Sequence, residues 1–246
     1  MVKIYDSEIN KRDLIQDIEL VIFDMDGLMF DTESLIIDCK KRAGDKFGYN
    51  ITRDIVIQTV GLNYEKTKNL MMEAFGKNFD FDEIYKVSMQ YMNEYIIKYG
   101  MPYKKGLLEL VDFLEEIKIL KAVATSSEKK RAQFCLQKAG IDKRFNAIVC
   151  GDMIENGKPA PDIFLKASDI CNVSPEKCIV LEDSPYGIMA AYRANMLPIM
   201  IPDLLQPNNE IEKLLYAKCD SLLDIIDILI EKCSRIICAR MSKFGI

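Results

Sequence analysis

The chain has 246 residues, a formal net charge of −5 and 49% apolar residues, enough for one large α/β domain or one ordinary domain with a small insert. Charged residues at 29%, with 12 glycines and 8 prolines, exclude a disordered or collagen-like chain. Histidine is absent, which excludes Ser-His-Asp triads, Cys-His pairs, HExxH zinc sites and imidazole general bases. Catalysis must then run on carboxylates, Lys, Ser/Thr, Cys or a bound metal.

A mildly acidic chain without a long Lys/Arg block is poorly suited to nucleic acid or anionic lipid, so neither partner is expected. Cysteines fall at 39, 135, 150, 171, 178, 219, 233 and 238 with no CxxC pair, a spacing that favours reduced, buried thiols. No apolar segment resembles a secretory signal or a membrane span, and the expected address is cytoplasmic.

In chain order, the first buried strand is expected over Leu20–Asp24. Helical patterns follow over Ser34–Phe47, Arg53–Thr59, Tyr64–Phe75 and Phe81–Tyr99, before Gly100-Met101-Pro102. Further strands are expected over Lys121–Thr125, Ala147–Cys150, Cys178–Glu182 and Leu197–Ile201. Helices over Glu128–Ala139, Asp162–Ser168 and Pro185–Ala194 separate them, and an amphipathic helix over Ser221–Arg240 closes the chain. Continuous apolar strands alternating with helices imply a doubly wound, Rossmann-like parallel sheet. One strand-helix-strand step needs about 30 residues, and the first interval holds about 70 too many. A small all-helical domain over residues 34–99 is therefore expected as an insert in an α/β core formed by residues 18–33 and 100–246.

Ligands of such sheets bind beyond the carboxyl ends of the strands. The first strand ends in Asp24-Met25-Asp26-Gly27, the second in Thr125-Ser126-Ser127 and the fourth in Glu182-Asp183-Ser184, while Gly157-Lys158-Pro159 lies in a loop ahead of the fourth. Each piece alone has an ordinary structural explanation: a turn, a helix N-cap or a helix entry. Together they gather carboxylates at one sheet edge, where they repel one another unless a divalent cation lies among them. Oxygen donors without His or Cys suit Mg²⁺ over zinc.

In that order, FDMDGLMFDTE, VATSS, GKPAPDIF and VLEDSPYGIMAA resemble the four motifs of the haloacid dehalogenase superfamily of aspartate-nucleophile phosphohydrolases, over about residues 20 to 203. The helical insert stands where the subgroup containing β-phosphoglucomutase and sugar-phosphate phosphatases carries its cap. The resemblance implies that Asp24 is the nucleophile and a Mg²⁺ ligand. It implies that Asp26 is the acid/base, with its carbonyl on the metal, and that Asp183 is the third metal contact. Glu182 would orient metal-bound water. Thr125, Ser126 and Gly27 would bind the phosphoryl group, Lys158 would offset its charge, and Glu33 would touch substrate.

The expected activity is Mg²⁺-dependent hydrolysis of a small phosphorylated metabolite through an aspartyl-phosphate. The alternatives are a phosphomutase and a non-catalytic phospho-acceptor module. Against the mutase, the cap histidine of β-phosphoglucomutase falls here at Ile36; against the module stand Asp26 and the long insert. Lys66 and Lys68 are expected to be solvated, and Met29, Met71, Met72 and Met89 to fill cores. The oligomeric state is not legible, and a monomer is the default expectation.

Overall fold

Aliphatic runs without polar alternation build the centre of the molecule, whose computed structural model describes residues 3–4 and 17–230. The strands are β1 (Lys3–Ile4), β2 (Leu20–Phe23), β3 (Leu120–Thr125), β4 (Ala147–Cys150), β5 (Cys178–Glu182), β6 (Leu197–Met200) and β7 (Ala217–Lys218). They form one sheet in the order β1-β7-β6-β5-β2-β3-β4. Among the described residues only the β1–β7 strand pair is antiparallel. Strand order reverses around β2, where Phe23 pairs with Leu181 of β5 on one side and Val123 of β3 on the other. That junction opens a crevice at the carboxyl ends of three strands.

Helices cover both faces because β2 is buried on both. Val21 and Phe23 face one apolar cluster with α5 (Leu107–Glu116) and α6 (Lys129–Lys138). Leu20 and Ile22 face the other with α7 (Asp162–Ile170) and α8 (Pro185–Arg193). The alternation is the two-residue period of a strand.

Between β2 and α5 lie α1 (Glu33–Lys46), α2 (Arg53–Ile57), α3 (Tyr64–Phe75) and α4 (Phe81–Tyr99). They enclose an apolar cluster of their own, with Ile37, Val56, Met71, Phe81 and Val87 at its centre. The two connections to the sheet run side by side. Asp31 N donates to Pro102 O at 3.0 Å and Lys104 N to Met29 O at 3.0 Å. Lys104 also pairs with Asp31 at 3.2 Å and with Asp203 at 2.7 Å.

Four elements lie outside the sequence expectation. Helix α5 buries Leu107, Leu110, Val111 and Leu114, a helical stripe between the insert and β3. The two-residue strands β1 and β7 are too short to show a period. A four-residue helix, α9 (Asn209–Glu212), follows Asn208, whose side chain accepts from Glu210 N and Ile211 N. At the carboxyl end, helix begins at residue 223. Its Asp224 carboxylate accepts from Ser221 N at 3.1 Å, and the remainder of the expected Ser221–Arg240 helix, from 231 on, lies outside the described residues.

Among the described residues no helix is long and apolar enough to cross a membrane. Cys39, Cys135, Cys150, Cys178 and Cys219 are buried free thiols and Cys171 is half-buried. Cys233 and Cys238 are outside the described residues.

Candidate active site

Asp24 follows the last residue of β2, so the apolar strand delivers a carboxylate to the sheet edge with only 7% of the residue exposed. Burying that charge is costly without a partner. Lys158 supplies one. Its ammonium donates to Asp24 Oδ1 at 2.5 Å and to Glu182 Oε1 at 2.6 Å, with 2% of the residue exposed. Burial raises the Asp24 carboxyl well above the ordinary range, Lys158 opposes this, and Glu182 and Asp26 add to it. Burial also works against the Lys158 ammonium, yet the charges of Asp24 and Glu182 carry it above the ordinary lysine value. Lys158 therefore stands charged between two acids.

Glu182 is fully buried at the end of β5. Its Oε2 accepts from Asp183 N at 3.0 Å, Ser184 N at 2.9 Å and Ser184 Oγ at 2.9 Å. These bonds fix the turn into α8, and with it Asp183, buried beside the crevice. Helix α8 approaches so closely that a Cβ on Gly187 would lie 1.7 Å from Glu182 Oε1. Gly187→Ala is expected to lower stability by about 1–3 kcal/mol, as overpacking does, and to reduce turnover by shifting Glu182. Thermal melts with steady-state rates check it; a melt and rate matching the unaltered protein would refute that packing.

Past Asp24 the chain turns tightly. Gly27 takes φ of 86°, a left-handed conformation that glycine adopts without strain, and its N–H donates to Phe30 O at 3.1 Å. The turn leaves Asp26 on the cleft side, its side chain 27% exposed. Asp26 Oδ1 accepts from Thr32 Oγ1 at 3.3 Å and from the Arg131 guanidinium at 3.2 Å, while Oδ2 accepts from Ser127 Oγ at 2.8 Å. Arg131, on α6, is not among the residues that the sequence motifs single out. It also donates to Met92 Sδ on α4 at 3.2 Å. Thr32 and Glu128 occupy the N-cap positions of α1 and α6 without a side-chain capping bond. The Thr32 and Ser127 hydroxyls instead serve Asp26. Glu33 is the first residue of α1.

Thr125, at the end of β3, is buried and its Oγ1 accepts from Ser127 N at 3.1 Å. Ser126 Oγ donates across the cleft to Gly61 O at 3.4 Å. The insert docks at this point. Lys66, exposed as expected, also donates from Nζ to Lys158 O at 2.8 Å and to Gly157 O at 3.2 Å. Lys68 pairs with Asp82 at 2.7 Å within the insert. Gly61 and Gly157 permit the approach: added Cβ atoms would meet Ser184 Oγ at 2.7 Å and Asn63 Nδ2 at 2.6 Å.

Charged hydrogen bonds contribute about 1.5–3 kcal/mol each at most, so Lys66→Met is expected to speed amide exchange in residues 154–160 by about 10–100-fold. Unchanged exchange there would mean that the Lys66 contacts do not hold the insert.

The cleft between sheet edge and insert spans about 920 Å³ counted to its open mouth. Asp24, Asp26, Thr125 and Asp183 lie on the sheet side, and Ile36, Lys40, Val60 and Tyr85 on the insert side. Ile36 thus stands at the cleft wall, and Met89, expected only as core filler, lines it too. Met29 and Met71 are buried as expected and Met72 is half-buried. Burial raises the Tyr85 phenol, with Arg131 opposing and Asp26 adding, which places that ring near both charges.

Among the described residues no three His, Cys, Asp or Glu side chains cluster as a metal cage. Asp24, Asp26 and Asp183 all line the cleft, and the carboxylates of the first and last with the carbonyl of Asp26 are the oxygen atoms that would serve a cation there. Two carboxylates and a main-chain oxygen fit a hard cation that keeps several waters, as Mg²⁺ does.

This edge of a doubly wound sheet, with three polar strand ends and a buried lysine under a helical insert, defines a hydrolase of the haloacid dehalogenase kind. The haloacid dehalogenase-like hydrolase family model matches residues 21–201, and the chain belongs to that family. It is 33% identical over 178 residues to a phosphorylated carbohydrates phosphatase of Thermotoga maritima, covering 72% of this chain and 82% of the relative. It is 28% identical over 178 residues to the fructose-1-phosphate phosphatase YqaB of Escherichia coli, covering 72% and 92%. A β-phosphoglucomutase structure from Clostridium difficile superposes with a TM-score of 0.74 at 25% identity, covering 90% of this chain and 99% of that one.

Proposed function

We propose that this hydrolase is a Mg²⁺-dependent phosphatase of a small phosphorylated metabolite, a phosphosugar or similar monoester, acting through an aspartyl-phosphate. The observation that carries the reading is the buried Asp24–Lys158–Glu182 array at the end of β2, with Asp26 two residues on and facing the cleft. Phosphorylated carbohydrates are what the names of two relatives specify.

Asp24, Asp183 and the Asp26 carbonyl would hold Mg²⁺, which when bound neutralises the approach of one anion to another. Asp24 attacks phosphorus and Asp26 gives a proton to the departing alkoxide. Asp26 then takes a proton from the water that releases phosphate from Asp24. The Thr125 hydroxyl and the main-chain N–H groups beside it bind the phosphoryl oxygens, and Lys158 keeps a positive charge against them. Gly27 and Ser126 border that position, Glu182 fixes Lys158 and Asp183, and Glu33 meets the substrate where the chain enters the insert.

Residues 34–99 act as a cap on hinges near 31–34 and 99–102, excluding water during the reaction. Hydrolysis is favoured over phosphoryl isomerisation because Ile36 cannot hydrogen-bond Asp26 and the chain has no histidine to replace it. The protein acts in the cytoplasm, as a monomer, without nucleic acid or membrane.

The test is release of phosphate from 4-nitrophenyl phosphate. Exhaustive chelation is expected to abolish it, and Mg²⁺, not Zn²⁺, to restore it. Full activity after chelation would refute the metal assignment, and no release with Mg²⁺ present would refute the phosphatase reading.

A further inference from the structure

Arg131 is not the end of the cleft. Beside it lies a second cavity of about 210 Å³ that shares Tyr85, Met89, Glu128 and Arg131 with the first and adds Asn93, Lys130 and Phe134. An apolar cavity of about 150 Å³ is enough to hold benzene, so this lobe has room for a single ring. The walls come from α4 of the insert and α6 of the core, and Arg131 lines both lobes, its guanidinium held by Asp26 and Met92.

Position determines which part of a substrate reaches this lobe. On the phosphatase reading the phosphoryl group sits at Asp24 and its leaving oxygen at Asp26, and the cation that touches Asp26 also lines the second lobe. Only the alcohol half can extend there. The lining then determines its chemistry. Tyr85 and Phe134 offer aromatic surface, Met89 a polarisable thioether, and Arg131 a flat cation, all of which favour the face or edge of an unsaturated ring.

We propose that the alcohol half of the substrate passes Arg131 and lays an aromatic or heteroaromatic ring in this second lobe. The substrates are accordingly phosphomonoesters of ring-bearing alcohols, and Arg131 and the lobe are specificity determinants. The proposal rests on the phosphatase reading above.

The test compares ethyl phosphate with 2-phenylethyl phosphate, two alkyl esters of similar leaving-group basicity, with the full chain and Mg²⁺. The unaltered enzyme is expected to prefer the phenylethyl ester in kcat/KM by about tenfold or more, the gain from burying a ring. Asn93→Trp, which fills the lobe, is expected to reduce that preference to near one, and Asn93→Ala to keep it, with melting curves confirming that both variants fold. A wild-type preference near one, or a preference that Asn93→Trp leaves in place, would overturn the proposal while the phosphatase reading stands. Turnover of 4-nitrophenyl phosphate with neither alkyl ester cleaved would overturn it in the same way. Release from none of the three compounds would overturn both.

Discussion

Asp24→Asn is expected to lower phosphate release by on the order of 10⁴-fold or more, because an amide does not attack phosphorus. Asp26→Asn is expected to cost about 10²–10⁴-fold, the usual contribution of a general acid–base group. The two variants differ in what accumulates. Asp24→Asn forms no phosphoenzyme. Asp26→Asn slows both halves of the reaction, and with a good leaving group, which needs no proton, it is expected to accumulate aspartyl-phosphate. Rapid acid quench followed by intact-mass measurement reads this directly. Near-native turnover by a folded Asp24→Asn protein would end the covalent scheme.

Lys158→Met is expected to remove activity and also to destabilise the fold by about 3–5 kcal/mol, the cost of breaking a buried ion pair from one side. Asp24 and Glu182 would then face one another at the strand ends with the ammonium between them gone. The sign of the pH effect follows from Asp24, whose carboxyl burial already raises. A carboxyl raised in the folded state binds its proton more tightly there than in the unfolded chain, so stability falls as pH climbs from the unfolded value toward the folded one. The variant, with the opposing charge removed, is expected to melt lower at pH 8 than at pH 5 by a wider margin than the unaltered protein. Denaturant titrations at the two pH values decide it; equal margins would mean that Lys158 does not compensate Asp24.

The parallel sheet was legible because LVIF, AIVC and CIVLE have no polar alternation and stop at turn-forming or acidic residues. The helical insert was legible from one interval too long for a single crossover. Helix α5 lies outside the expectation although Leu107, Leu110, Val111 and Leu114 carry the helical period. The strand-end residues of the candidate site could be listed from sequence because they follow apolar runs. Their partners could not. Arg131 sits next to Ala132, a buried position on α6, but two lysines precede it and the run reads as surface. The hydroxyls of Thr32 and Ser127 look like helix caps, and only the fold shows that both point to Asp26. Lys66 finds its carbonyls about 90 residues away in the chain, a pairing that no local pattern encodes.

The seam between insert and sheet joins main-chain atoms (the carbonyls of Gly61, Gly157 and Lys158, with two glycines that let the surfaces meet) to side chains of the insert, for Cys39, Met92 and Ile96 enter the apolar cluster of the core. Ile36 and Met89, which line the cleft from α1 and α4, pack against that same cluster. Attachment and recognition therefore share two helices. Residues exchanged along them, by descent or in the laboratory, to accept a different alcohol also reshape the joint that brings them over the reacting phosphorus.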